Sequence, residues 1–303
     1  MHTIFVTRRL FPETVRCLSG VFRFGRAGTA EGVLTQLTDV VDAAFLDRFP
    51  KARVISQCAV GVDNIDLAET ARRGITVMNT PGVLTDATAD MTWALLLCVA
   101  RRVAEADALC RKGLFRGWDL EFMLGSEVTG RTLGIVGPGR IGSAVAARAK
   151  GFRMLVLACG RPGDRRAPAG TTRVTLRRLL KESDFVSLHV PAGPETRHLI
   201  GAAELALMKP GAILINTSRG SAVDERALVR ALRLGRPAGA GLDVFEREPR
   251  IPAALRRSRR VVLTPHVASA TRATRGLMAM TAARNLIDFF QGTPDGRHVV
   301  PGL

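Results

Sequence analysis

Tyrosine is absent from this 303-residue chain, and tryptophan occurs only twice. With so few aromatic side chains, the sequence lacks the stacking platform that is typical of proteins binding single-stranded nucleic acid. The formal net charge of +17 would otherwise suggest a polyanionic partner. However, only five of the 44 basic residues are lysine, and the arginines are spread along the whole chain instead of forming one tract. We therefore interpret the charge as a bias in arginine usage and expect no nucleic-acid partner.

Paired cysteines and long hydrophobic runs are also missing. The five cysteines form no Cys-x-x-Cys pair and have no histidine cluster beside them, so we expect no metal site and a reducing compartment. No apolar run is long enough to cross a membrane. The N-terminal segment MHTIFVTRRLFPE has no signal-peptide pattern. These absences predict a cytoplasmic protein with no membrane partner.

Short apolar segments alternate with helical patterns from about Thr132 onward. Uninterrupted apolar strands separated by helices are typical of a parallel sheet that is covered on both faces. The expected helices 141–150 and 224–234 end at Gly151 and Gly235, where glycine permits a left-handed cap. This part of the chain is therefore predicted to be a doubly wound α/β domain. Its expected strands are TLGIV, MLVLA, FVSLHV, AILIN, AGAGLDV and VVLT.

The N-terminal part predicts a smaller α/β unit. The segments IFVTRR and ARVISQCA and the residues 74–79 have the pattern of further buried strands. A long helix is expected from about Thr85 through Arg111, with an apolar stripe along one face. The last helix is expected from Ser269 to Gln291.

A glycine-rich turn follows the segment TLGIV. Gly137, Gly139 and Gly142 have the spacing G-x-G-x-x-G and precede a helical pattern. Between a strand and a helix, this spacing indicates a dinucleotide site. The first glycine permits the tight turn, the second lets the backbone approach the pyrophosphate, and the third lets the helix pack closely on the strand. The phosphates are expected at the helix N-terminus.

The turn after the next strand, MLVLA, distinguishes NAD from NADP. NAD sites place an Asp or Glu there to bind the ribose 2′-hydroxyl. In this chain the turn is Cys159-Gly160-Arg161, and Arg165 and Arg166 follow. A guanidinium can hold the 2′-phosphate of NADP in bidentate fashion, so we predict NADP(H) as the preferred cofactor. The alternative is that Arg161 belongs to the general arginine bias and that Asp164 serves NAD(H).

Three polar residues follow apolar strands in the C-terminal half, where an open parallel sheet binds its ligands. Arg219 follows AILINTS, Glu248 follows GLDVFER and His266 follows VVLTP. Singly, they have ordinary interpretations: a surface arginine, a loop carboxylate and a histidine at a strand end. Together they fit reduction of a 2-keto acid, in which Arg219 holds the carboxylate and polarises the carbonyl, and His266 donates a proton. Glu248 would favour the charged imidazolium.

Four segments, INTSRGSAVDE, AGLDVFEREP, LTPHVASAT and AVGVDNIDLAETARRGITVMNTPGVLTDATAD, resemble the signatures of D-2-hydroxyacid dehydrogenases. The last is similar to the glyoxylate and hydroxypyruvate reductase branch. The resemblance implies catalytic roles for Arg219, Glu248 and His266. It also implies a Rossmann cofactor domain at 97–267 and a smaller flavodoxin-like substrate-binding domain at 1–96 and 268–303. A homodimer is implied as well.

The resemblance further implies which residues contact the ligands. The backbone amides of Val60 and Gly61 would hold the substrate carboxylate, and Asp243 would face the nicotinamide carboxamide. Trp118 would extend into the neighbouring subunit's site, although a hydrophobic staple is an equally open interpretation. The expected substrate contacts are Val60, Gly61, Leu84, Trp118 and Arg219. The expected cofactor contacts are Gly137, Gly139, Arg140, Ile141, Gly142, Gly160, Arg161, Val190, Pro191, Thr217 and Asp243.

The main hypothesis is therefore NADPH-dependent reduction of glyoxylate, hydroxypyruvate or a similar small acid. Two alternatives stay open: a phosphoglycerate or phosphite type of dehydrogenase, and a nucleotide-sensing corepressor that binds protein partners. Phosphite-oxidising relatives have a lysine where Val60 stands, which disfavours that alternative. The segment from about Leu18 to Leu34 is too short for the strand and helix usual there, so an element of the smaller domain is expected to be missing or packed unusually.

Overall fold

The computed structural model describes residues 1–161 and 167–301. The chain divides into two compact units. The smaller unit comprises Met1–Leu84 and Ala270–Leu303, and the larger unit comprises Thr85–Ser269. Each contains one β-sheet whose strands are all parallel.

The strands of the described residues are β1 (Thr3–Val6), β2 (Arg23–Phe24), β3 (Gly32–Thr35), β4 (Val54–Gln57), β5 (Thr76–Met78), β6 (Thr132–Val136), β7 (Leu155–Cys159), β8 (Thr172–Arg173), β9 (Phe185–Leu188), β10 (Ile213–Asn216), β11 (Gly239–Leu242) and β12 (Val261–Leu263).

The helices are α1 (Pro12–Ser19), α2 (Ala43–Asp47), α3 (Leu67–Arg72), α4 (Thr85–Ala100), α5 (Val103–Arg111), α6 (Arg140–Ala149), α7 (Leu176–Glu182), α8 (Ala202–Leu207), α9 (Glu225–Arg233), α10 (Ala253–Arg257) and α11 (Arg272–Phe290).

The larger unit has the predicted doubly wound sheet. Its seven strands have the order β12-β11-β10-β9-β6-β7-β8, so the direction of winding reverses beside β6. The central strands β9 and β10 are buried along their whole length, as their apolar sequences predicted. In such a sheet, ligands bind outside the carboxyl ends of the strands at the point of reversal. The topology therefore directs attention to the loops that follow β6, β9, β10, β11 and β12.

The smaller unit has the strand order β2-β1-β3-β4-β5, which is the flavodoxin-like order. The short segment 18–34 explains why its edge is reduced. Strand β2 has only two residues, and a single 3-10 turn at Ala27–Thr29 takes the place of a helix before β3. The sheet is complete in topology, but this connection is abbreviated.

The predicted long helix 85–111 is wrong in one respect, because the structure has two helices there. The break falls at Arg102, whose φ of 52° lies in the left-handed region. The Arg102 guanidinium bonds the Glu105 carboxylate at 2.8 Å and 3.1 Å, which fixes the start of α5. Nothing in this Gly- and Pro-free stretch signals the break.

The chain passes from the smaller to the larger unit earlier than expected. The expected boundary followed residue 96, whereas the observed one follows Leu84. The chain leaves the smaller unit at Leu84, because α4 packs on α6 and on β10 and β11 of the larger sheet. Leu95 and Leu96 of α4 are buried in the larger unit's core, and the Trp93 indole donates to the Val145 carbonyl at 3.1 Å. Within the described residues, no helix is both long enough and apolar enough to span a bilayer.

Candidate active site

The three predicted catalytic residues lie after three adjacent strands of the larger sheet. Arg219 follows β10, Glu248 lies in the loop after β11, and His266 follows β12. Because parallel strands point their carboxyl ends to one edge, the topology brings all three residues to that edge.

His266 and Glu248 are directly hydrogen-bonded. The Nδ1 atom of His266 lies 2.8 Å from Oε2 of Glu248. The other carboxylate oxygen, Oε1, accepts the backbone N–H of Phe245 at 3.0 Å. With Nδ1 engaged by a carboxylate, the tautomer and the ring orientation are fixed, and Nε2 is the nitrogen suited to exchange a proton with a ligand.

The electrostatic environment keeps Glu248 ionised. Burial by itself would raise the pKa of this carboxyl group, but the hydrogen bond and charge of His266, the Phe245 amide and the charge of Arg219 together lower it below its usual value. A carboxylate that stays charged beside an imidazole stabilises the protonated ring. The pair therefore places an ionised carboxylate directly against the imidazole of His266.

Asp243 positions the loop that carries His266. Its buried carboxylate accepts the Thr264 hydroxyl at 2.6 Å, the Val267 N–H at 2.9 Å and the Ala268 N–H at 2.8 Å. The backbone carbonyl of Asp243 also accepts the N–H of His266 at 2.8 Å. His266 itself has a φ of 52°, a left-handed conformation that these bonds hold in place. Sequence analysis assigned Asp243 only a cofactor contact, which stays a prediction, and missed this structural role.

Asn216 holds the turn that carries Arg219. Its side-chain amide donates to the Arg219 carbonyl at 2.9 Å, and its Oδ1 accepts the N–H and the hydroxyl of Ser218 at 3.0 Å and 2.8 Å. The Arg219 guanidinium donates to the Ser218 carbonyl at 2.9 Å. Gly220 is required next, since a Cβ there would lie 1.9 Å from the Phe245 carbonyl carbon. Sequence analysis missed Asn216, although a polar residue ending a buried strand was a usable signal.

The glycine turn has the geometry of a phosphate cradle. Gly137 has a φ of 89°, and a Cβ on it would lie 2.6 Å from the His189 carbonyl oxygen. A Cβ on Gly142 would lie 2.4 Å from the Gly137 carbonyl oxygen, so α6 can pack this closely only without a side chain. Gly139 faces open space and begins α6 with no side-chain cap, which leaves the first N–H groups of the helix for an anion. These residues fit a dinucleotide pyrophosphate.

The other predicted cofactor contacts lie along the same edge of the larger sheet. Arg140 and Ile141 form the first turn of α6, and Val190 and Pro191 follow β9. Thr217 follows β10, and its hydroxyl lies 2.8 Å from that of Thr92 in α4. Their placement after β6, β9 and β10 is where a doubly wound sheet binds a nucleotide. Contact with a cofactor stays a prediction for each of them.

In the smaller unit, a chain of amides holds the loop after β4. The Asn79 side chain donates to the Val60 carbonyl at 2.8 Å, and the Asn285 side chain donates to the Asn79 carbonyl at 2.8 Å. His298 Nδ1 lies 2.7 Å from the Asn285 Oδ1. Because the carbonyl of Val60 is bonded within the unit, the peptide that joins it to Gly61 has a fixed orientation. Leu84 is half-buried at the end of this part of the chain.

Comparison with known proteins identifies the family. The model for the NAD-binding domain of the D-isomer specific 2-hydroxyacid dehydrogenases matches residues 93–268. The chain belongs to this family. It is therefore an oxidoreductase that acts on CH–OH donors with a nicotinamide cofactor, and it falls in the glyoxylate reductase branch.

Similar proteins agree in sequence and in fold. A glyoxylate reductase of Thermococcus litoralis is 53% identical over 268 residues, which cover 86% of this chain and 81% of that protein. A glyoxylate reductase of Aeropyrum pernix is 49% identical over an alignment that covers 95% of this chain and 93% of that protein. The crystal structure of an NADPH-dependent glyoxylate/hydroxypyruvate reductase from Sinorhizobium meliloti with NADP and malonate is 33% identical, with a TM-score of 0.87 over 99% of this chain and 97% of that chain.

At the end of β7, this dehydrogenase has an exposed turn. Gly160 and Arg161 follow Cys159 directly, and the Arg161 carbonyl accepts a hydrogen bond from Nη2 of Arg173 at 3.1 Å. Asp164, Arg165 and Arg166, which were also considered as cofactor contacts, lie outside the described residues.

Trp118 of the dehydrogenase lies in an exposed segment, with 82% of its surface accessible. This exposure does not fit a hydrophobic staple within the chain. Other apolar side chains of the same segment are also exposed, namely Leu114, Phe115, Leu120, Phe122 and Leu124. Among residues 1–161 and 167–301, no group of three or more His, Cys, Asp or Glu side chains is arranged to hold a metal ion.

Proposed function

We propose that this dehydrogenase reduces glyoxylate, hydroxypyruvate or a similar small 2-keto acid to the D-2-hydroxy acid, with NADPH as the preferred cofactor. The observation that carries the proposal is the 2.8 Å hydrogen bond between His266 and Glu248. The charge of Arg219 also acts on this pair, since it helps to lower the pKa of Glu248. A proton donor and a fixed cation beside it are the groups that carbonyl reduction of an acid requires.

The residues have complementary roles in this reaction. When bound, the reduced nicotinamide supplies the hydride for the carbonyl carbon. Arg219 holds the substrate carboxylate and polarises the carbonyl oxygen through charge-assisted hydrogen bonds. His266 transfers a proton from Nε2 to that oxygen, and Glu248 stabilises the imidazolium before the transfer. Hydride and proton together convert the carbonyl group into the alcohol.

The two units have separate proposed roles. The larger unit binds the dinucleotide through the glycine turn, and the smaller unit contributes substrate contacts through Val60, Gly61 and Leu84. The restrained Val60 carbonyl supports this, since a fixed peptide presents its amides in one direction. We further propose a homodimer in which Trp118 reaches the neighbouring subunit's site. A cytoplasmic location belongs to the same proposal and agrees with five free cysteines.

The preference for NADPH rests on the turn after β7. Cys159, Gly160 and Arg161 supply a cation and no carboxylate at the position where NAD sites carry an acidic residue. A carboxylate there would repel a 2′-phosphate, whereas a guanidinium binds it. NAD(H) is the alternative cofactor.

Initial rates of NADPH and NADH oxidation with glyoxylate, hydroxypyruvate and pyruvate test the proposal, on the wild type and on Arg161→Ala. We expect turnover of the first two acids with NADPH, and a selective loss with NADPH in the variant. Rates with NADH that equal or exceed those with NADPH would contradict the cofactor preference and leave the reaction standing. No turnover of any of the three acids would contradict the substrate assignment.

A further inference from the structure

Strand β8 places a second arginine against the turn after β7. In the parallel pairing of these strands, Arg173 lies opposite Ala158, one residue before the end of β7. The Arg173 guanidinium reaches over the turn and donates from Nη2 to the Arg161 carbonyl at 3.1 Å. Burial raises the pKa of the Cys159 thiol, and the positive charge of Arg173 opposes that rise. The strand pairing and the hydrogen bond therefore locate this charge at the carboxyl end of β7.

Gly160 leaves a gap beside this guanidinium. A Cβ on Gly160 would lie 3.5 Å from Nη1 of Arg173 and 3.5 Å from Cδ of Pro138 in the glycine turn. The absent side chain is thus flanked by the phosphate-binding turn on one side and by Arg173 on the other. In dinucleotide folds, this is the place where the adenosine ribose meets the residue that selects between a 2′-hydroxyl and a 2′-phosphate.

We propose that Arg173 is a second residue that binds the 2′-phosphate of NADP(H), and that it acts with Arg161 to determine cofactor specificity. This inference rests on the NADPH preference of the proposed function. The guanidinium is a planar, permanently charged group that suits phosphate, and its Nη2 donates to the Arg161 carbonyl. That bond holds the planar group over the turn, so less side-chain freedom is lost when it binds a phosphate than for the exposed Arg161 side chain.

The test compares two nucleotides that differ only in the 2′-phosphate, adenosine 2′,5′-bisphosphate and adenosine 5′-monophosphate. Their dissociation constants are measured by titration calorimetry on the wild type and on Arg173→Met, which retains the length of the side chain without its charge. We expect the bisphosphate to bind roughly tenfold to a hundredfold more weakly to the variant, as for a lost charge-assisted hydrogen bond, with unchanged binding of the monophosphate.

Two further variants control the experiment. Arg178→Met removes an exposed arginine on α7 that is paired with Glu182, and it should change neither constant. Arg173→Lys keeps the charge without the planar fork and should recover part of the bisphosphate affinity. If Arg173→Met does not fold, Arg173→Lys still tests the role of Arg173 in binding the 2′-phosphate. Compared with the wild type, Arg173→Lys should bind the bisphosphate more weakly and the monophosphate equally well.

The outcomes separate this inference from the proposed function. Equal binding of both nucleotides to the wild type would overturn the NADPH preference, and the role of Arg173 with it. A wild type that prefers the bisphosphate, together with an Arg173 variant that keeps the same preference, would overturn the role of Arg173 alone. Equal weakening of both nucleotides would assign Arg173 a purely structural role in β8.

Discussion

At the scale of single residues, the proposed chemistry depends on buried polar groups that hold the proposed catalytic side chains. Asp243 accepts three hydrogen bonds from the loop of His266, and Asn216 makes three around the turn of Arg219. Each such bond contributes about 1 kcal/mol to stability, but losing one partner leaves a buried donor unsatisfied at a higher cost. The loops therefore have little freedom, which suits a site in which proton transfer requires fixed geometry.

His189 gives a prediction on stability. Burial lowers the pKa of His189 to about 3, and its Nε2 lies 2.8 Å from the Ser187 hydroxyl. The unfolded chain binds a proton at this residue below about pH 6.5, whereas the folded chain does not until about pH 3. The free energy of unfolding should therefore decrease as the pH is lowered through this window, by up to roughly 1.4 kcal/mol per pH unit.

Chemical denaturation at several pH values measures this effect, with His189→Gln as the comparison. Above pH 7 the imidazole is neutral in both states, so His189 makes no pH-dependent contribution there. The variant should show a shallower decline in unfolding free energy between pH 6.5 and pH 4. An identical decline in both proteins would show that His189 is not the group responsible.

The proposed catalytic residues could be predicted from the sequence more easily than the residues that support them. Arg219, Glu248 and His266 were recognisable because each follows an apolar strand, and the parallel topology brings strand ends together. The roles of Asn216, Asp243 and Arg173 were missed, since a hydrogen bond between residues distant in the chain leaves no local pattern. Arg173 in particular acts on a turn that belongs to another strand.

At the scale of elements, the turn between β6 and α6 separates fold from binding. Gly142→Ala should cost about 1 to 3 kcal/mol in stability, because its Cβ would overlap the Gly137 carbonyl. Gly139→Ala should leave the melting temperature unchanged, because its φ of −75° suits alanine and the Cβ meets no protein atom within 4 Å.

Both variants should bind NADPH more weakly than the wild type. The fluorescence of the bound nicotinamide measures this binding, and a melting curve measures the stability of each variant. In Gly142→Ala the weakening follows from a displaced helix. In Gly139→Ala it follows from a methyl group in the space where the backbone approaches the pyrophosphate. If Gly139→Ala binds NADPH as the wild type does, the pyrophosphate does not lie on this turn.

The amide chain of the smaller unit gives another prediction. Asn79→Ala removes the donor that holds the Val60 carbonyl. The loop of Val60 and Gly61 should lose its fixed orientation, so the KM for the 2-keto acid should rise roughly tenfold, in line with one lost hydrogen bond to a positioned group. Steady-state kinetics at saturating NADPH provide the measurement. An unchanged KM would contradict the proposed role of this loop in binding the substrate.

Most elements followed from the sequence, and the exceptions have physical causes. The strand TLGIV is β6 to the residue, and α11 starts three residues later than expected because Thr271 caps its N-terminus, accepting the N–H of Thr274. The break at Arg102 was not predictable, since helix propensity is continuous across it and tertiary packing of α4 decides where the helix ends. The length of 18–34 did predict an abbreviated connection, but not its form.

At the scale of the whole molecule, an exposed apolar segment indicates an interface. Six large apolar side chains between residues 114 and 124 are at least 42% exposed, and contiguous exposure of this kind is typical of contacts between chains. The proposed homodimer would bury them. Sedimentation of the purified protein should give twice the 32.6 kDa mass of the chain.

A variant in which Phe115, Leu120 and Leu124 are all serine should sediment as a monomer, since it loses apolar area that the dimer would bury. Leu234→Ser is the matched control, because Leu234 is also exposed but lies outside this segment, and it should leave the mass unchanged. A wild-type protein that sediments at the mass of one chain would contradict the dimer.

The central claim is that His266, held by Glu248, supplies the proton in reduction of a 2-keto acid. The most direct measurement is kcat for glyoxylate reduction as a function of pH, with the dissociation constant of NADPH, in the wild type, His266→Gln and Glu248→Gln. The account predicts that His266→Gln loses at least about a hundredfold in kcat with unchanged cofactor binding. In Glu248→Gln, a smaller loss of kcat should come with unchanged cofactor binding, because the hydrogen bond that orients the His266 ring at 2.8 Å loses its carboxylate. A near wild-type kcat in His266→Gln would contradict the account.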